Sequence, residues 1–334
     1  MNSLPAYVGL DYHQNAVQVC VMDRAGVVLA NRSCLNDWQA IAGLASQHGR
    51  VVGAAIESCT GAANLAEELM RRAGWLVDLA HPGFVNRMRQ NQDKHDLGDA
   101  RLLADLERVG YLPRVWLAPD EIRELRRLVN YRQQLVNERR NIKLRVSAML
   151  RDQRQIYREG KAWTLRWLGW LSQAQLSEQG RWIVECHLRR MEGVRRELLA
   201  VEERLGKLTQ DDPVVASLQK QKGIGPVTAW VMRAHIGRFD RFRTGKQLSR
   251  FCGLSPRNAS SGNRQADAGL IKAGNADLRT TVIEAAHRLI RYEPVWRERA
   301  SRMRGKPRCV VIAAMANRWI RWLFHQMQPS GQVA

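Results

Sequence analysis

Tyr7-Val8-Gly9-Leu10-Asp11, followed by Ala16-Val17-Gln18-Val19-Cys20-Val21-Met22, decides how the rest of the chain is read. Short runs of apolar and β-branched residues such as these form strands of a sheet core. Asp11 ends the first run, where a strand leaves the core for a more polar loop. A carboxylate at that point can hold a metal ion while its backbone stays in the sheet. Taken alone, it can equally cap the loop that follows. Asp23-Arg24-Ala25-Gly26 makes a hairpin turn into Val27–Leu29, so three consecutive antiparallel strands are expected.

Working outward, Asn36–His48 reads as a helix and Val51–Ile56 as a fourth strand ending at Glu57. A helix over Ala62–Ala73, a fifth strand over Trp75–Leu79 and a helix starting at His81-Pro82-Gly83 follow. Gln90–Lys94 is polar and loop-like, and Gly98–Val109 is a further helix closed by Tyr111-Leu112-Pro113. Alternating α/β order behind an antiparallel hairpin matches a ribonuclease H-like (RuvC-like) fold, with strand 1 central and strand 4 beside it.

Beyond Pro119 the pattern changes to helices. Leu125, Leu128, Leu135, Ile142, Val146 and Met149 follow 3/4 spacing within a stretch free of Pro and Gly up to about Gln155. Val184, Leu188, Met191, Val194, Leu198, Val201, Leu205 and Leu208 repeat the spacing more regularly. Two such helices predict an antiparallel coiled-coil arm over 119–212. Trp163, Trp167 and Trp170 fall on one face of the helix expected between them. They suit a packed tip, a dimer contact or, less blandly, stacking on unpaired nucleotides. Asp211-Asp212-Pro213 closes the arm, leaving a domain over 213–334 expected to be all-α. The first domain is then 1–118.

Charge divides the chain the same way. Lys and Arg outnumber Asp and Glu by 53 to 32, a net charge of +21 over 334 residues. Residues 1–120 hold 11 basic against 13 acidic residues, net −2, while 121–334 hold 42 against 19, net +23. A neutral half able to carry chemistry is joined to a half that grips a polyanion, and nucleic acid is the natural polyanion. No apolar run approaches the roughly 20 residues a membrane span needs. Neither a signal peptide nor a Cys-x-x-Cys pair is evident, and the six scattered cysteines fit free thiols in the cytoplasm.

Asp11 and Glu57 end neighbouring strands in this scheme, and Asp96 and Asp99 lie three residues apart at the start of a helix, on one face. Each has a bland explanation, since Asp96 can be an N-cap and Asp99 a first-turn acid favoured by the helix dipole. Together they form a set that cannot all ionise at close range without cations. Two Mg²⁺ ions about 3.5–4 Å apart would neutralise it and polarise a phosphodiester. Further on, Gly223-Ile224-Gly225 joins two helices, where backbone N–H groups can approach a phosphate as in helix-hairpin-helix modules. Ser260-Ser261-Gly262 lies amid Arg257, Arg264, Lys272 and Arg279, which would surround a phosphate presented to a hydroxyl. Ser-Gly pairs are otherwise ordinary turns.

The chain resembles the bacterial DEDD-type insertion-sequence transposases, which include a pilin-gene invertase. The resemblance rests on Ala55-Ile56-Glu57-Ser58-Cys59-Thr60-Gly61 and on Lys94-His95-Asp96-Leu97-Gly98-Asp99-Ala100-Arg101. It continues through Gly223-Ile224-Gly225, Phe251-Cys252-Gly253-Leu254-Ser255-Pro256-Arg257, Ser260-Ser261-Gly262 and Lys272-Ala273-Gly274-Asn275. It covers nearly the whole chain, from Tyr7 to Arg321. The resemblance implies a recombinase whose four carboxylates, here Asp11, Glu57, Asp96 and Asp99, bind Mg²⁺. It implies that Ser261 forms a covalent phosphoserine link to DNA. It also implies a structured non-coding guide RNA that pairs with the element ends and the target DNA. Last, it implies a homo-oligomer, dimer to tetramer, whose composite sites join one subunit's carboxylates to another's serine. Lys222, His95 and Ile271 depart from residues common in relatives, and none of the three is a proposed ligand or nucleophile.

Two rival readings differ in what they require. A resolvase-like nuclease acting by water attack needs only the carboxylates and leaves Ser261 idle. A non-catalytic nucleic-acid-binding protein leaves the carboxylates without a purpose. An actin-like ATPase is rejected, because it wants Gly two residues after the strand Asp and this chain has His13.

Overall fold

The computed structural model describes residues 4–88, 96–258, 267–271 and 274–328. The chain divides into two compact units, 1–118 and 119–334.

The first unit is built on β1 (Pro5–Tyr12), whose residues alternate between two helical layers. Val8 and Leu10 join a core with Val17, Val19 and Val21 of β2 (Ala16–Asp23), under α1 (Trp38–Ser46) and α2 (Ala62–Ala73). On the other face Cys20 and Met22 pack on Ala100 and Ala104 of α4 (Asp96–Arg108). A two-residue period in the strands therefore serves both layers at once. The remaining elements are β3 (Val28–Leu35), β4 (Arg50–Glu57), β5 (Val77–Ala80), α3 (Pro82–Met88) and β6 (Arg114–Val115).

The sheet runs β3-β2-β1-β4-β5-β6, with β1 antiparallel to β2 and parallel to β4. This is the order anticipated from sequence, with strand 1 inside and strand 4 at its side. At the hairpin, Asp23 Oδ1 accepts from the Val27 N–H at 2.8 Å and Gly26 takes a φ of +91°, a value glycine adopts without strain. The short strand β6 went unanticipated, because two residues carry no period.

The second unit begins with α5 (Asp120–Asp152), α6 (Leu165–Gln173) and α7 (Glu178–Leu208). Arg132 pairs with Glu202 at 2.6 Å, whereas Gln153 Oε1 accepts from the Ser177 N–H at 2.8 Å. Advancing along α5 thus means retreating along α7, so the two are antiparallel as expected. Trp167 is buried, with Trp163 and Trp170 packed at its sides, which makes the tryptophans a packed tip. Trp163 precedes α6 and takes a positive φ of 68°, so the expectation of three tryptophans on one helix fails at its first member.

The rest comprises α8 (Pro213–Gln219), α9 (Pro226–Ile236), α10 (Gly245–Phe251), β7 (Pro256–Asn258), β8 (Asp267–Leu270), α11 (Ala276–Tyr292), α12 (Pro294–Ser301) and α13 (Arg308–Gln326). Helix α9 is buried on nearly all sides, from Thr228 to Ile236, and α5, α7 and α13 contribute to the same core. The expectation that 213–334 is all-α is corrected by β7 and β8, which pair antiparallel. The physical reason is the brevity of the pair and the proline that opens it: strands of three and four residues leave no readable alternation.

Candidate active site

The parallel register pairs Leu10 with Ile56, so Asp11 and Glu57 leave adjacent strand ends side by side. Helix α4 approaches this edge because residue 9 is glycine. A Cβ there would overlap the Ala100 carbonyl oxygen and stand 2.5 Å from the Ala104 nitrogen. Both are backbone atoms, so only glycine lets α4 settle onto β1. The first turn of α4 is tied down by a relay: Gln18 Nε2 donates to Asn31 Oδ1 at 2.8 Å, and Asn31 Nδ2 donates to the Leu97 carbonyl at 2.9 Å. Asp99, in that turn, is buried, while Asp96 is exposed.

Beyond Asp11 the chain turns sharply, with the His13 N–H donating to Ala16 O at 3.0 Å and Asn36 Nδ2 donating to His13 O at 3.0 Å. The turn places His13 Nε2 3.5 Å from Asp11 Oδ2 and 3.3 Å from Asp96 Oδ2. Ligand atoms of Asp11, His13 and Asp96 all lie within 4.8 Å of one another, a spread that suits a shared cation. Glu57 and Asp99 stand outside that cluster. On the far side, a Cβ at Gly61 would collide with the Tyr12 hydroxyl, so the ring of Tyr12 braces the loop that follows Glu57. Partial burial pushes the Cys59 thiol up, helped by the Glu57 and Asp11 carboxylates, against a hydrogen bond from the Ala62 backbone that pulls it down. Cys59 is therefore a neutral neighbour of the site.

In the second unit, Gly223 (φ +85°) turns the chain and Gly225 caps α9, with Pro226 at its first position. Gly223, Gly225 and Arg288 line one small cavity of about 270 Å³. Gly253 (φ +69°) and Gly274 meet back to back: a Cβ on Gly274 would collide with the Gly253 nitrogen. Asn275 then caps α11, its Oδ1 accepting from the Leu278 N–H at 2.8 Å, while the Arg279 guanidinium lies against Gly253. Arg257 is exposed on β7. Ser261, Arg264 and Lys272 lie outside the described residues.

The carboxylate edge of one unit and the glycine-locked loop of the other each fall within a stretch of the chain that a transposase family matches. A family described as "Transposase IS116/IS110/IS902 family" matches residues 215–301, and a DEDD-type transposase family of the IS110 group matches 8–154. The chain belongs to the IS110-type transposase family. It is 25% identical to the transposase for insertion sequence element IS1111A of Coxiella burnetii, over 94% of this chain and 88% of that one. A protein named as a family 20 transposase in Pseudomonas aeruginosa is 28% identical over 81% of this chain and 82% of its own length. The y4qE protein of Sinorhizobium fredii, also named as a transposase, is 29% identical over 68% of this chain, which spans only 55% of that relative.

Three contributors to the chain's two motif regions escape a reading of sequence. His13 was noted only as a non-glycine after Asp11; its place depends on the turn at 13–16. The Gln18–Asn31 relay joins residues with no motif of their own. His235 sits inside an apolar stretch of α9, yet its Nδ1 lies 3.1 Å from Asn275 Nδ2 and so holds the cap of α11. Burial, reinforced by the Arg126 charge and opposed by Asp277, pulls His235 down to about 4. The ring is therefore neutral, with Nδ1 accepting from the amide.

Proposed function

We propose that the chain cuts and rejoins DNA as an insertion-sequence transposase, with Asp11, Glu57, Asp96 and Asp99 holding Mg²⁺ and Ser261 as nucleophile. The observation that carries this reading is the crowding of Asp11, Asp96 and His13 at the strand edge where Glu57 also ends. Such an oxygen-rich donor set fits a hard cation, and His13 adds a nitrogen ligand or a hydrogen bond that orients Asp11 and Asp96. Bound there, Mg²⁺ supplies polarisation of the phosphodiester and stabilisation of negative charge.

The chain's own residues do the rest in this account. Ser261 Oγ attacks phosphorus, and the bond from phosphorus to the leaving deoxyribose oxygen breaks as the Oγ–P bond forms. The proton lost by the hydroxyl is balanced by the one the leaving oxygen gains. Arg257, Arg264, Lys272 and Arg279 offset charge on the non-bridging oxygens. Backbone N–H groups at Gly223 and Gly225 hold a neighbouring phosphate. A covalent phosphoserine conserves the energy of the broken bond, so strands rejoin without ATP, as transposition requires. The partners in this reading are the element ends and target DNA, a structured guide RNA and further copies of the chain.

Denaturing electrophoresis of protein trapped on labelled element-end DNA tests it. A covalent adduct is expected in the wild type and absent in Ser261→Ala. Mixing Ser261→Ala with Asp11→Ala subunits should restore part of the activity if the site is composite. Unimpaired cleavage without an adduct in the wild type would instead favour water attack by a resolvase-like nuclease.

A further inference from the structure

Helix α13 has two unlike faces. Ile312, Met315, Ala316, Trp319, Ile320 and Leu323 are buried in the core of the second unit. The opposite face, through Val310, Ala314, Asn317, Arg318, Arg321 and Trp322, lines two cavities instead. One is about 710 Å³ and the other about 450 Å³, and both are lined by Arg318 and Arg321, so they adjoin there as two parts of one depression.

We infer that this depression is a track for an unpaired DNA strand, gripped by Arg318 and Arg321 and stacked on Trp322. The inference rests on the reading of the chain as a DNA transposase and adds a site that reading does not contain.

Chemistry along the depression changes from end to end. The larger part has an apolar floor from Leu254, Val310, Ala313 and Ala314, with Lys246 at its rim. Its wall is formed by β7 and β8 through Pro256, Gly269 and Leu270, and in sequence the segment joining those strands carries Ser261. The smaller part gathers Arg299, Arg302 and His325 around Trp322. Among the described residues no carboxylate pairs with Arg299, Arg318 or Arg321, while Arg302 pairs with Glu298 at 2.5 Å. Guanidinium groups held together without counter-charges repel one another, and a polyanion removes that repulsion.

Trp322 keeps 38% of its surface in solvent, although it is braced by Trp296 in a T-shaped contact at 6.5 Å. Arg299 in turn lies over the Trp296 ring at 4.9 Å. A partly exposed indole packed against a second ring and beside cationic groups is a stacking platform for a base. Duplex nucleic acid hides its base faces, so the indole and the apolar floor reward an unpaired strand, and the cations reward its phosphates. DNA is favoured over RNA because β7 and β8, which wall the track, flank in sequence the segment that carries the proposed nucleophile, and that serine has to receive a DNA phosphodiester.

Fluorescence anisotropy with a labelled 12-nucleotide single-stranded DNA and the full chain tests the inference across a salt series. Trp322→Ala should weaken binding by roughly 5- to 150-fold, the loss of one stacked base, and Trp322→Phe should recover most of it. Arg318→Gln with Arg321→Gln should flatten the dependence of log affinity on log salt by about 1.4, two phosphate contacts. Circular dichroism melts of each variant separate lost binding from lost folding. If Trp322→Ala unfolds, the arginine pair still decides the matter. Wild-type affinity and slope in the arginine pair would overturn the track. So would tighter binding of an RNA of the same sequence, with only that binding lost in the variants. Failure of the wild type to form a DNA adduct, with the track variants still defective in binding, would overturn the transposase chemistry and leave the track standing.

Discussion

His235 shows what a single buried residue contributes here. Its folded-state value near 4 lies below the ordinary 6.5, so between those pH values the unfolded chain binds a proton that the folded one refuses. Stability therefore falls as pH drops from about 6.5 towards 4, by up to about 3 kcal/mol. Thermal melts over that range should show the fall in the wild type and a shallower one in His235→Gln; equal slopes would show that other groups control acid stability. At the carboxylate edge, Asp99→Asn or Glu57→Gln should cut strand cleavage by more than about 100-fold, beyond the 10- to 100-fold typical of residues that only orient a ligand. Asn31→Ala belongs to that lesser class: it frees the Leu97 carbonyl, and cleavage rates should fall about 10-fold while the Mg²⁺ concentration needed rises. The positions of Asp11 and Glu57 at strand ends, and of Asp96 and Asp99 in the first turn of a helix, were legible because each falls at the end of a patterned element. His13 and His235 were not, since the first needs a turn and the second a partner forty residues away.

Elements are held by a few close approaches that sequence hints at only indirectly. Gly9→Ala should destabilise the first unit by at least about 1–3 kcal/mol, because backbone atoms of α4 cannot give way as a flexible side chain would. The same variant should lose activity in proportion to the displacement of Asp99, and a melt with unchanged midpoint would contradict the packing. At the helical tip, Trp167→Ala removes a buried indole, and a loss of about 3–5 kcal/mol is expected from chemical denaturation. Helix α2 was legible to its last residue, running over Ala62–Ala73 as expected, and in the structure it lies between Gly61 and Gly74, both with positive φ. Its two flanking glycines act as punctuation. Helix α7 was legible from its repeat, although Leu208, at the end of that repeat, is 48% exposed where the helix runs out. Strands β6, β7 and β8 were illegible for the opposite reason, since pairing rather than pattern makes them strands.

For the whole molecule, composition carries the broad division of labour. The near-neutral 1–120 and the strongly basic 121–334 correspond closely to the two compact units that meet at residue 118. Excess charge of +23 on one side predicts nucleic-acid binding that weakens steeply with salt and resides in the second unit. The helical hairpin is not a detachable handle, because Leu125, Val129, Leu198 and Val201 share a core with α9 and α13. Excising 125–205 should therefore unfold the second unit rather than merely shorten it, which loss of cooperative melting would reveal. None of the described helices is long and apolar enough to cross a membrane. In the proposed function the edge of β1 and β4 binds the cation that serves strand cleavage. The most direct measurement is an anomalous difference map from crystals grown with Mn²⁺ and DNA from the flank of the gene. A peak is expected within coordination distance of the Asp11 carboxylate, shared with Asp96 and with at least one of Glu57 and Asp99. A map with Mn²⁺ bound elsewhere, and with Asp96 and Asp99 turned away from Asp11, would contradict it.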